Sequence, residues 1–355
     1  MSRRAYLDWL RGIAVLIMIE AHTLDSWTLV SERGRVPFGY AMILGGFGAP
    51  IFLFLAGLAL VLAIGGRMRK GASAREAAAA ARVRGWQIFG LAFLFRLQSW
   101  LLGGGAPLDT LLKVDILNIM GLAMVGAAAL WGLAGRDAVR AALLVAAVVA
   151  LTMLTPIVRA TPWLAALPDP VEWYLRPYPG RTTFTLLPWA GFLFAGAALG
   201  LSLDRARTPQ AERRLILALA AFGPGMAAAA YAASFLPAIY TQTSFWTSSP
   251  TFFFLRLGVL LSLVPLAYAI SSALRRVSAP LEYFGRVSLF VYWIHVEMVY
   301  GVLSAGIHKR LTFEQSLLAF AAFSLFLFGV AKAKDALAPR FRRRPGTSSW
   351  QPARG

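Results

Sequence analysis

Residues 7–27 read LDWLRGIAVLIMIEAHTLDSW, an apolar stretch of membrane-spanning length that carries charge where a span ordinarily has none. Asp8, Arg11, Glu20, His22 and Asp25 interrupt it. An ionisable side chain inside a bilayer is costly; it usually faces a bundle interior and tends to be functional. Arg11 and His22 are eleven residues apart, which on a helix is three turns plus about 20°, so both lie on one face about 16 Å apart along the axis. Asp25, three residues after His22, joins that face, whereas Glu20 points nearly the opposite way. One face therefore presents a cation deep in the span and a histidine with a carboxylate neighbour nearer the far end.

The rest of the chain has the same character. Its 355 residues are 58% hydrophobic and 14% charged, with a mean hydropathy of +0.64, which describes a polytopic membrane protein rather than a soluble globule. There are no cysteines, which excludes disulfides, thiolate catalysis, cysteine metal sites and palmitoylation. A net charge of +19 by itself suggests nucleic acid, but the basic residues fall in alternate loops, and no nucleic-acid partner is expected. Arg3 and Arg4 before an apolar run imitate a secretory signal. A signal core would not hold Asp8, Arg11 and Glu20, and no small-residue cleavage site follows, so the segment reads as an uncleaved first span.

Ten hydrophobic segments of spanning length can be counted, at 7–27, 38–64, 85–103, 112–133, 139–158, 184–203, 213–236, 252–274, 287–305 and 312–333. Gly223-Pro224-Gly225 is expected to kink the seventh. Of the 35 Lys and Arg, 24 fall on one side of the resulting topology, 7 on the other and 4 within spans. The positive-inside rule then makes both termini cytoplasmic. The expected fold is all-α, a polytopic membrane helical bundle of about ten helices. Residues 1–334 form the membrane domain, and 335–355 a basic, disordered cytoplasmic tail whose Arg340, Arg342, Arg343 and Arg344 are placed to contact anionic lipid. The non-cytoplasmic connections 159–183 and 237–251 are rich in Pro, Trp and Tyr; such loops either shape an acceptor cleft or form an interfacial aromatic belt.

This orientation puts His22, Asp25, Arg96, Gln98, Lys113, Asp115, Asn118 and Arg256, from four different spans, at similar depth in the outer half, with His295 and Glu297 about mid-span. Counting from residue 287, His295 falls nearer the membrane centre than His22, so the two are not expected to pair directly. Single ion pairs such as Asp8 with Arg11 or Arg96 with Asp115 suit a purely structural role. The whole set exceeds what a structural bundle buries and points to a polar, partly wet cavity. There His22 is a ready general base, Asp25 can fix its tautomer, and the arginines and Lys113 can hold phosphate or a developing oxyanion. A proton-coupled transporter could use the same inventory. His22 and Asp25 alone, without H-x-x-x-H or cysteine, argue against a metal site.

Four segments together resemble one family: RAYLDWLRGIAVLIMIEAH at 4–22, APIFLFLAG at 49–57, LLKVDILNIMG at 111–121 and FGRVSLFVYWIH at 284–295. They are similar to the transmembrane acyltransferase superfamily. The L-D-x-L-R-G start and P-x-F-x-F-x-x-G second helix resemble heparan-alpha-glucosaminide N-acetyltransferase and its bacterial relatives. Arg11 followed after ten residues by His22 resembles the acyltransferase-3 branch. The long lumenal domain of the animal enzyme has no counterpart in these residues, so that enzyme's sugar specificity is not carried over.

The resemblance implies transfer of an acyl group, acetyl above all, from cytoplasmic acyl-coenzyme A to a hydroxyl or amine of a sugar or other envelope acceptor at the outer face of a bacterial-type inner membrane. His22 would be the catalytic histidine, as base or transient acyl carrier, with Asp25 beside it. Arg11 would meet the coenzyme's phosphates or thioester. The basic loop Arg67, Arg69, Lys70, Arg75, Arg82 and Arg84 would hold its 3′-phosphate, though positive-inside bias alone also explains that loop. Arg96, Gln98, Lys113, Asp115, Asn118, Arg256 and His295 would line the acceptor side, while His308, beside Lys309 and Arg310, reads as solvated. The expected partners are the lipid bilayer, acyl-CoA and the acceptor, with a homodimer allowed. A secondary transporter or lipid flippase is the alternative; the single Gly-Pro-Gly break and the absence of an internal repeat favour the enzyme.

Overall fold

The computed structural model describes residues 4–103 and 106–342. These form α-helices, short 3-10 turns and connecting loops, with two isolated β-bridges and no strand among the described residues. In chain order the helices are α1 (Ala5–Trp27), α2 (Val36–Gly45), α3 (Gly48–Met68), α4 (Ala74–Leu102), α5 (Ile116–Leu133), α6 (Asp137–Met153), α7 (Thr155–Ala160), α8 (Asp169–Leu175), α9 (Leu186–Arg205), α10 (Pro209–Ala233), α11 (Pro250–Ala273), α12 (Arg275–Arg286), α13 (Ser288–Tyr300) and α14 (Phe313–Arg342). Seven helical stretches among the described residues are long and apolar enough to cross a membrane: 36–68, 116–133, 137–160, 186–205, 209–233, 250–273 and 313–338. The protein is an all-α polytopic bundle. Helices α1 and α4, with the broken pair α12–α13, carry most of the intramembrane polar residues.

The charged first helix is tolerated because it is central. It packs against α2, α3, α11, α12, α13 and α14, so its polar groups meet protein rather than lipid. Its partner α12–α13 runs parallel to it in a constant register. Gly12 approaches the backbone at Leu281, Gly285 approaches Asp8, and farther along the Ser26 hydroxyl donates to the Val299 carbonyl at 2.8 Å. The Gly12–Gly285 crossing needs glycine, since a Cβ on Gly285 would sit 1.9 Å from the Asp8 carbonyl oxygen. Small residues at a helix crossing let membrane helices approach this closely. The same device joins α3 to α9, where Gly57 faces Leu193 and Gly196 faces Phe54.

Several boundaries differ from the sequence expectation. The second segment is two helices, α2 and α3, divided at Gly46-Phe47. Pro50 in the first turn of α3 has no N–H to return to Gly46, so the ladder is interrupted there. The fourth segment begins as a helix only at Ile116. Lys113 and Val114 are extended, and Val114 bridges to Thr182. Residues 275–286 are not a loop but α12, divided from α13 at Val287. Helix α10 runs through Gly223-Pro224-Gly225 without ending. The last helix continues to Arg342, past the expected start of the tail at 335; residues 343–355, with Arg343 and Arg344, lie outside the described residues.

Candidate functional site

A cavity of about 1590 Å³ runs between α1, α3, α4, α5 and α13. On α3 its lining extends from Gly48 to Arg67, about 28 Å at 1.5 Å per residue, close to the thickness of a hydrocarbon core. At the α3–α4 end it is lined by Arg67 and Arg84. Its middle is apolar, with Phe52, Ala56, Leu60, Ile88, Met120 and Met124. At the other end Arg96, Ser99, Lys113, Asp115, Glu297 and Tyr300 converge. Helix α1 lines much of this length, with Arg11, His22 and Asp25 all facing the cavity as its periodicity predicts.

Each polar group has identifiable support. Arg11 lies 3.3 Å from the Asp8 carboxylate one turn earlier. Asp115 caps α5: one carboxylate oxygen accepts the Ile116 N–H at 2.6 Å, and its own N–H donates to Asn118 Oδ1 at 2.9 Å. The other oxygen is paired with Arg96 of α4. Asp115 thereby binds the start of α5 to α4. Ser99 donates to Glu297. Beyond the cavity's polar end, the connection 159–183 closes over α5, with Trp173 buried against Val114 and Ile119.

His22 has a partner that counting along the sequence did not foresee. Its Nδ1 lies 2.9 Å from His295 Nε2 on α13. The rings are 5° from parallel with centroids 5.1 Å apart, so they meet edge to edge, as an in-plane hydrogen bond requires. His295 is fully buried, and its Nδ1 lies 2.8 Å from the Val291 carbonyl. The expectation that these histidines do not pair is corrected. The helical element begins not at residue 287 but with α12, which lifts His295 to the level of His22. Asp25 does not touch the His22 ring nitrogen; it accepts from the Tyr300 hydroxyl at 3.0 Å and lies 3.6 Å from Arg33.

Other expected site residues are engaged elsewhere. Gln98 accepts from the Trp293 indole N–H at 2.7 Å, tying α4 to α13. Asn118 is 1% exposed and bonds Tyr174 as well as the α5 cap. Arg256 stands against Phe252, Phe47 and Trp189, with its guanidinium carbon 4.1 Å from the Phe252 ring centre. Arg69 is paired with Asp204 at 2.5 Å, and neither it nor Lys70 lines the cavity. His308 is exposed as expected, though its Nδ1 also lies 3.2 Å from the Ser26 hydroxyl. Ser99, Tyr292 and Tyr300 line the cavity without being expected there. Tyr292 lies one helical turn before His295, the only signal it gave.

The family model described as heparan-alpha-glucosaminide N-acetyltransferase, catalytic, matches residues 3–231. The chain belongs to this family. The heparan-alpha-glucosaminide N-acetyltransferase match covers Arg11, His22, Asp25, Arg67, Arg84, Arg96 and Lys113, and stops before the helices that carry His295, Glu297 and Tyr300. No curated protein matches the chain. The family is one of membrane acetyltransferases, and the cavity supplies such a protein with a histidine, cations and an apolar passage. Among the described residues no group of three or more His, Asp or Glu is arranged to hold a metal ion.

Proposed function

We propose that the protein transfers an acetyl group from cytoplasmic acetyl-coenzyme A to a hydroxyl or amine of an envelope acceptor at the outer face of a bacterial-type inner membrane, both termini being cytoplasmic. The observation that carries this reading is the full-depth cavity with His22 on its wall and cations at both ends. In this reading Arg67 and Arg84 take the coenzyme's phosphates, and the apolar middle takes its pantetheine arm. Arg11 lies on the donor's path toward His22. The acceptor enters beside Arg96, Lys113 and Asp115.

His22 Nε2 removes the proton from the acceptor as its oxygen or nitrogen attacks the thioester carbonyl. The C–S bond breaks, and His22 returns the proton to the departing thiolate. Base catalysis of this kind supplies about 10²–10⁴-fold. The full-depth cavity also suits a transporter or flippase, the second reading. Family membership supports the enzyme over it.

Calorimetry with acetyl-coenzyme A on the detergent-purified protein tests the proposal. Binding that weakens in Arg67→Ala and Arg11→Ala is the expected result. Folded protein that binds no short acyl-coenzyme A would turn the reading toward transport.

A further inference from the structure

The pairing of His22 with a fully buried histidine does more than pack two rings together. The Val291 carbonyl can only accept a hydrogen bond, so the His295 nitrogen facing it at 2.8 Å, Nδ1, carries the hydrogen. In an uncharged His295 the other nitrogen, Nε2, then holds a lone pair. That lone pair faces His22 Nδ1 at 2.9 Å, so Nδ1 of His22 carries a hydrogen and donates it. With Nδ1 committed, the edge of His22 left for the cavity is Nε2, bearing its own lone pair.

We propose that His295 is the positioning residue that fixes His22 in the tautomer whose Nε2 is a base open to the cavity. The arrangement deepens the acyltransferase reading and rests on it for its kinetic consequence alone. When Nε2 takes the acceptor's proton, the imidazolium formed on His22 donates more strongly to His295. The hydrogen-bond chain ends at the Val291 carbonyl, which has no proton to pass on, so the proton remains available for the leaving thiolate. A through-relay of the kind proton-coupled transport needs would not terminate this way. The register of α1 against α12–α13, set by the Gly12–Gly285 crossing, holds the rings at matching height. In an orienting role elsewhere, the partner of a catalytic histidine fixes tautomer and direction without touching the substrate.

The experiment combines labelling and kinetics on the full-length protein. Diethyl pyrocarbonate, with the modified residues mapped by mass spectrometry, should modify His22 in the wild type and spare His295. His295→Phe should slow His22 labelling several-fold, whereas His295→Gln, which places a carbonyl oxygen near the Nε2 position, should preserve it. In transfer assays His295→Phe should lower kcat roughly 100-fold with little change in KM for acetyl-coenzyme A, and His295→Gln should recover part of the loss. His22 labelling that is unchanged in His295→Phe would overturn the proposal, as would modification of His295 in the wild type. A wild type that binds no acetyl-coenzyme A removes the acyltransferase reading, while the labelling result still decides the histidine pair.

Discussion

Tyr300 joins His22 to Asp25: its ring lies across the His22 ring with centroids 5.5 Å apart, while its hydroxyl donates to the Asp25 carboxylate at 3.0 Å. Asp25 is thus linked to His22 through a tyrosine, with Arg33 on its other side. Tyr300→Phe keeps the ring and removes the hydroxyl. A hydrogen bond to a charged group contributes about 1.5–3 kcal/mol of stability, so Tyr300→Phe should lower Tm by a few degrees at about that cost, and the loosened His22 surroundings should lower transfer about tenfold. Steady-state turnover beside a thermal melt measures both. Full activity in Tyr300→Phe would show that the Tyr300–Asp25 bond has no part in the chemistry.

His22→Ala removes the proposed base from the cavity wall and leaves α1 in place. Acyl transfer should fall by at least about 10²-fold, while far-UV circular dichroism stays unchanged. Wild-type activity in purified His22→Ala would take His22 out of the mechanism.

The two arginines of the basic loop should separate. Arg67 lines the cavity, whereas Arg69 is held by Asp204 outside it. Arg67→Ala should weaken acetyl-coenzyme A binding measured by calorimetry. Arg69→Ala should leave that affinity alone and cost no more than about 1 kcal/mol of stability, as partly exposed ion pairs do. Equal losses of affinity in the two variants would contradict this placement of the donor.

At the α1–α12 crossing there is no room for a side chain. A Cβ on Gly12 would lie 2.0 Å from the Leu281 carbonyl oxygen, which is backbone and cannot swing aside. Gly12→Leu should destabilise the fold by about 3 kcal/mol or more and disrupt the histidine register with it. A Tm equal to the wild type's would mean that α1 and α12 do not meet here.

The start of α4 should respond to acid. Glu76 accepts from the Ser73 backbone N–H at 2.8 Å and from the Ser73 hydroxyl, and these bonds hold its carboxyl below the usual range. A depressed folded-state value stabilises the helix start above the unfolded carboxyl's pKa of about 4.3, and this support is lost as pH falls through the lower folded value. Hydrogen exchange of the first-turn amides should therefore lose protection, beyond the intrinsic pH effect, only below about pH 4. Ser73→Ala should show the loss already at neutral pH.

The amino-acid sequence by itself determined the all-α membrane class, the helical face shared by Arg11, His22 and Asp25, and the motifs of the family, because hydrophobic runs and helical periodicity are local properties. It also suggested the Arg11–Asp8 and Arg96–Asp115 pairs, whose members are near in sequence or at equal depth. Tertiary structure alone decided that His295 meets His22, that Gln98, Asn118 and Arg256 are spent on Trp293, Tyr174 and an aromatic wall, and that Arg69 turns to Asp204. Most of these contacts join residues far apart in the chain. They depend on where glycine-lined crossings let one helix slide against another, and a shift of one turn, which leaves every local pattern intact, would exchange all of these partners.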